Sequence, residues 1–323
     1  MKGIILLALT VVTASLVAAV AVSTAHATFP GANGRISLMR YDASIDDFAL
    51  YTANPDLSKE IEVAGTPTFS SAWAPGGGRL AYDIVEADGS NQIATVNGDG
   101  TGRQVLTSGS GINEIPSYSP DGTRIVYDYS PVLPDVPGFH TSLWVMDANG
   151  TNKHPLFPGW DTFDVEPKFS PDGQSVAFIR IRKVMGRDGS LQQNALFVVR
   201  ADGTGLRQLT AWGQSAEFPD WAPDSRSLVY FDSAESGGKR SIWMIGADGG
   251  SRHVVYQGQR GAEGARPAFS PDGTKIMFSC IGPKGGDTDL CRVDADGSNL
   301  VDLTNTPNGS DERRPAWGTA QLR

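Results

Sequence analysis

Arg266-Pro-Ala-Phe-Ser-Pro-Asp-Gly-Thr-Lys-Ile-Met-Phe278 is one of several copies of a single short text. It recurs as Ile115-Pro-Ser-Tyr-Ser-Pro-Asp-Gly-Thr-Arg-Ile-Val-Tyr127, as Glu166-Pro-Lys-Phe-Ser-Pro-Asp-Gly-Gln-Ser-Val-Ala-Phe178 and as Phe218-Pro-Asp-Trp-Ala-Pro-Asp-Ser-Arg-Ser-Leu-Val-Tyr230. A degenerate early copy reads Ala72-Trp-Ala-Pro-Gly-Gly-Gly-Arg-Leu-Ala-Tyr82. The turn prolines Pro75, Pro120, Pro171, Pro223 and Pro271 are spaced by 45, 51, 52 and 48 residues. In Ser-Pro-Asp-Gly, Pro presets φ at the second turn position and Gly supplies a positive φ after it, so the text encodes a tight turn between two strands. Ile276 and Phe278 alternate at period two, as a half-buried strand requires.

Each copy is followed by a second unit, such as Leu143-Trp-Val-Met-Asp-Ala-Asn-Gly150 or Leu290-Cys-Arg-Val-Asp-Ala-Asp-Gly297. Its Asp-Gly step reads as another hairpin turn, and short runs such as Leu206-Arg-Gln-Leu-Thr210 supply a fourth strand. A four-stranded sheet of about 50 residues cannot bury both faces alone, but copies packed radially can. Arg314-Pro-Ala-Trp317 supplies only a first strand, whereas Gly34–Leu38 and Ala49–Asn54 read as second and third strands without a first. The expectation is an all-β, six-bladed β-propeller of four-stranded antiparallel blades, the last closed by both termini. Strand-borne aromatics Trp73, Tyr118, Phe169, Trp221, Phe269 and Trp317 read as core between blades.

The chain has 323 residues, with 38 Gly and 20 Pro, and recurrent turns account for much of that excess. Residues 1–27 read as a secretory signal: Lys2, an apolar stretch from Ile4 to Val22, and the small-x-small site Ala25-His26-Ala27. The propeller would then span 28–323, with no membrane span after signal removal. Export to a periplasmic, cell-wall-associated or extracellular location is expected. The net charge of −9 disfavours a phosphate backbone, so no nucleic-acid partner is expected. Cys280 and Cys291 lie 11 apart and read either as a disulfide in an oxidising compartment or as two buried thiols.

The Pro-x-Phe/Trp-Ser-Pro-Asp-Gly copies, the Ala-Asp-Gly turns and the Leu-Thr ends resemble the WD40-like (PD40) repeats of the TolB family. The resemblance covers essentially all of residues 28–323. It implies a propeller scaffold, here without the α/β domain that precedes the propeller in TolB, which works with partners that maintain the cell envelope.

Alternation of strands puts the long, variable connections on one face of the disc and the tight turns on the other. The variable connections include Tyr129 to Thr141, Arg180 to Asn194, Trp160 to Asp164 and Gly258 to Ala265. Glu114, Glu166, Glu217, Arg266 and Arg314 stand at the starts of first strands, so they are expected around the channel mouth on the variable face. Such a ring either binds a cation, a polar ligand or a partner's extended tail, or consists of solvated charges paired with one another across the channel. His140, His154 and His253 fall at unrelated registers, so no metal site is expected. Asp294-Ala-Asp-Gly-Ser-Asn299 resembles half a calcium loop but is the recurrent hairpin turn. There is no G-x-S-x-G elbow, and Gly98-Asp-Gly-Thr-Gly102 lies in a hairpin rather than before a helix. The reading is an exported, non-catalytic binding scaffold, monomeric and without cofactor, that engages a protein or cell-envelope component through its variable face. The alternative is a saccharide lyase or hydrolase using the Glu/Arg ring.

Overall fold

The computed structural model describes residues 29–131, 140–158, 163–186, 189–232, 241–257, 265–281, 288–304 and 311–320. The expected signal segment 1–27 lies outside the described residues, as do most of the connections expected at 129–141, 160–164 and 258–265. Every described element is a β-strand. No described helix is long and apolar enough to cross a membrane.

The described strands form five hydrogen-bonded sheets, four of four strands and one of eight. This corrects the expectation of six separate four-stranded blades, since four discrete four-stranded blades are present among the described residues. The eight-stranded sheet is two consecutive repeats joined by a parallel bridge from Asn91 of one third strand to Ile112 of the next first strand. Asn113 Nδ2 reinforces the join by donating to Asn91 O at 3.1 Å and to Gln92 Oε1 at 3.2 Å.

Within each discrete sheet the strands follow chain order, except where the chain ends meet. There Glu312–Thr319 pairs antiparallel with Asn33–Asp42, which continues through Asp47–Ala53 to Ile61–Ala64. Thr319 Oγ1 then donates to Pro75 O at 2.7 Å, and Ser37 Oγ lies 2.9 Å from Ser71 Oγ, tying this sheet to the next one around the ring.

The turns behave as their chemistry dictates. In the first hairpins, the Gly122, Gly173 and Gly273 amides donate to the carbonyls of Ser119, Ser170 and Ser270 at 2.8–2.9 Å. The aspartate of each turn accepts from the backbone two residues on, as Asp121 Oδ1 does from Thr123 N at 2.9 Å. In the second hairpins Gly150, Gly203 and Gly297 close on Asp147, Arg200 and Asp294 in the same way, each at 2.8 Å.

The core sits between neighbouring sheets. Val126, Leu143 and Leu156 of one sheet join Phe169, Phe178 and Phe197 of the next in one cluster. Tyr82, Tyr127, Phe178, Tyr230 and Phe278, at equivalent places in the second strands, are among the most completely buried side chains. Transfer of such rings from water is the main drive for radial packing.

One expected loop is ordered strand. Residues 180–186 and 189–194 continue the pairing of Ser175–Gly186 with Gly189–Arg200, in register from Ser175↔Arg200 to Gly186↔Gly189. Each strand has 12 residues, against 7 in the equivalent Lys275–Ile281. The paired strands are therefore about 17 Å longer than the described strand of their counterpart.

Candidate functional site at the channel

The inner strands carry a repeated irregularity. The residue before the strand proline has positive φ in four of them: Ile115 (51°), Glu166 (61°), Phe218 (53°) and Arg314 (57°). The pairing register shifts at the same points, between Glu114 and Ser117, Val165 and Lys168, and Glu217 and Asp220. A bulge of this kind withdraws one backbone N–H from the ladder and requires another acceptor.

That acceptor comes from the preceding repeat. Asp83 Oδ2 accepts from Ile115 N at 3.4 Å, and Asp128 Oδ2 from Glu166 N at 3.3 Å. Glu166 Oε2 accepts from Phe218 N at 2.5 Å, and Ser279 Oγ from Arg314 N at 3.1 Å. Asp83, Asp128 and Ser279 each follow the buried aromatic of a second strand. The equivalent residue after Phe178 is the apolar Ile179, and there Glu166 of the first strand caps the next bulge instead.

These caps sit in a cluster of opposed charges. Burial raises the carboxyl of Asp128 well above the usual range, and the Glu114 charge adds to the shift. Glu166 is pushed up to about 7 by burial, against the pull of Arg266. Glu114 is raised by burial and then by Asp83. Burial lowers Arg266, and it brings Arg314 down to about 9 with help from the neighbouring Arg266 charge. The Arg266 guanidinium lies 4.1 Å from the Phe218 ring centroid, and Arg314 Nη1 donates to the Phe69 carbonyl.

The inner strands enclose a cavity of about 90 Å³. Glu166, Arg266 and Arg314 line it, together with Ile115 and Phe218. Glu114 and Glu217 are not among its lining residues. They stand two residues before Pro116 and Pro219, whereas Glu166, Arg266 and Arg314 immediately precede their prolines. Glu114 instead accepts from Asn91 Nδ2, and the Glu217 charge is felt at Glu166. Asp83 and Asp128 were not singled out from sequence, although the Tyr82-Asp83 and Tyr127-Asp128 pairs are visible there. Among the described residues no group of three His, Cys, Asp or Glu side chains is placed to hold a metal ion.

Away from the channel, Cys280 and Cys291 form a disulfide with a Cα–Cα distance of 5.8 Å. Both lie in the apolar cluster between two neighbouring sheets.

Among solved structures, TolB from Acinetobacter baumannii superposes with a TM-score of 0.70 at 21% identity, covering 88% of this chain and 67% of that one. Among curated proteins, the uncharacterized peptidase YuxL of Bacillus subtilis (strain 168) is 30% identical over 35% of this chain and 16% of its own length. Dipeptidyl-peptidase 5 of Porphyromonas gingivalis is 29% identical over 46% of this chain and 22% of its own. These matches thus span about a fifth of the length of either curated relative. The sequence profile described as the TolB beta propeller domain, PD40, matches residues 135–321, more than half of the chain. With its repeats, its sheets and this match in agreement, the chain belongs to the TolB beta-propeller (PD40) family.

Proposed function

We propose that the protein is an exported, non-catalytic binding scaffold that engages a protein or cell-envelope partner through the face bearing its long connections. The observation that carries this reading is the hairpin of Ser175–Gly186 with Gly189–Arg200, whose paired strands have 12 residues each against 7 in Lys275–Ile281. At its base Arg180 makes a paired contact with Asp164, Nε to Oδ1 at 2.6 Å and Nη2 to Oδ2 at 2.8 Å. Just beyond it Arg182 and Lys183 are exposed, a basic element on a chain of net charge −9. The channel acids support the same reading, because Asp83, Asp128 and Glu166 already serve backbone amides. A cavity of about 90 Å³ is also small beside the ~300–1,000 Å³ of ordinary ligand pockets.

The test is affinity capture from envelope and extracellular fractions, using the wild type beside an Arg182→Glu/Lys183→Glu variant. A partner retained by the wild type and lost by the variant supports the reading. Absence of any stable partner, together with turnover on a glycan panel, overturns it.

A second reading, cleavage of a saccharide, draws on one observation. Glu166 is a buried carboxyl pushed up to about 7, as a general acid requires. Glu166→Gln would abolish any turnover found on the glycan panel.

A further inference from the structure

The segment that precedes the first strand runs beneath the ring. Gly31 N donates to Pro271 O at 3.1 Å, within the tight turn Ser270–Gly273. Asn33 Nδ2 donates to Asp272 Oδ2 at 2.9 Å, and Asp272 N returns a bond to Asn33 Oδ1 at 3.2 Å. Two residues before Gly31, the Phe29 side chain is 5% exposed. It belongs to a cluster with Tyr118 and Tyr127 and lines the central cavity along with Trp73, Phe169 and Trp317. Those aromatics all lie at the tight-turn ends of inner strands. Glu166, Arg266 and Arg314 each lie three residues before the aromatic of their own inner strand, Phe169, Phe269 and Trp317.

We propose that Phe29 is a plug. Its ring closes the channel at the tight-turn end and leaves the cavity open only towards Glu166, Arg266 and Arg314. Phe29 belongs to no sheet, so its ring adds nothing to the ladders and takes its contacts from the apolar wall of the cavity. The seat beneath it is walled by aromatic side chains and takes a flat apolar ring. A ligand or partner segment entering from the open end meets Phe29 and cannot pass through the disc.

The experiment compares the intact protein with its Phe29→Ala and Phe29→Trp variants in thermal unfolding, with and without millimolar indole. The wild type and the Trp variant should be unmoved by indole. Phe29→Ala should gain a few degrees as indole fills the vacated seat. Its tryptophan emission should also become more open to acrylamide quenching. A folded Phe29→Ala variant with neither change overturns the proposal, as does an equal indole shift in the wild type. Should Phe29→Ala fail to fold, hydrogen exchange of the wild-type Gly31 amide decides. Slowing of about a hundredfold or more relative to an unstructured peptide is expected, and exchange at the peptide rate overturns the plug.

Discussion

The Phe218 amide donates to Oε2 of Glu166 at 2.5 Å, so a carboxylate on one inner strand completes the backbone of the next. With Asp128 accepting from the Glu166 amide at 3.3 Å, three consecutive repeats are linked head to tail by side chain and main chain. Part of the charge at the channel is therefore architecture.

Glu166 makes stability depend on pH in a definite direction. Its carboxyl is pushed up to about 7 in the fold, above the ~4.3 of an unfolded chain. The folded state thus holds the proton more tightly. The associated stabilisation is fully present below about pH 4.3 and is lost as pH rises through 7. Glu166→Gln keeps an acceptor for Phe218 and removes the charge. The variant should flatten the decline between pH 5 and 8 and be more stable than wild type at pH 8, by up to about 3 kcal/mol. Urea midpoints at the two pH values check this, and an unchanged slope would count against it.

Ser225 occupies the place that Gly holds in four equivalent turns, at Gly77, Gly122, Gly173 and Gly273, and has φ of 59°. A non-glycine residue there carries a strain of about 1 kcal/mol. Ser225→Gly relieves it and gives up the bond from Asp172 N to Ser225 Oγ at 3.0 Å, so a net gain of about 0.5 kcal/mol is expected. Gly203→Ala should do the opposite, and strongly. At φ 81° a Cβ would stand 2.2 Å from the Leu156 carbonyl oxygen, backbone that a side-chain rotation cannot relieve. A loss of more than about 2 kcal/mol in denaturant unfolding is expected.

The Cys280–Cys291 bridge spans the hairpin of Lys275–Ile281 and Thr288–Asp294, in which Phe278 pairs with Cys291 and Cys280 with Asp289. Closing a loop of this size should contribute about 2–3 kcal/mol. The double change Cys280→Ala/Cys291→Ala should lower stability by that amount, and reductant should reproduce the loss in the wild type. Two alkylatable thiols in the unreduced protein would refute the bridge.

The tight turns were the most legible part of the sequence because each is local. Ser-Pro-Asp-Gly and Ala-Asp-Gly fix their own dihedrals within four residues. Sheet boundaries were less legible because the Asn91–Ile112 bridge depends on side chains brought together by neighbouring repeats. Charges near the strand starts put Glu114 and Glu217 in one ring with Glu166 when they are aligned by position alone. A one-residue offset before Pro116 and Pro219 separates them, and across a bulge such an offset redirects a side chain. The long hairpin is not legible as strand, because its charged and apolar residues suit either state. Arg180 takes its role from Asp164, which only the fold brings beside it.

That pair yields the last prediction. Asp164 is 0% exposed, and Arg180 both grips it at two points and lies 5.2 Å from the Phe197 ring centroid and 5.5 Å from that of Phe178. Asp164→Ala leaves a guanidinium held among aromatic rings without its counter-charge. A loss of about 3–5 kcal/mol is expected, well above that for an exposed pair. Adding Arg180→Met removes the stranded charge and should recover a large part of the loss, which denaturant unfolding of both variants would measure. Because this pair anchors the base of the hairpin, Asp164→Ala should also weaken capture of any partner that depends on Arg182 and Lys183. A variant that loses stability while holding that partner as tightly as wild type would place the binding surface elsewhere on the disc.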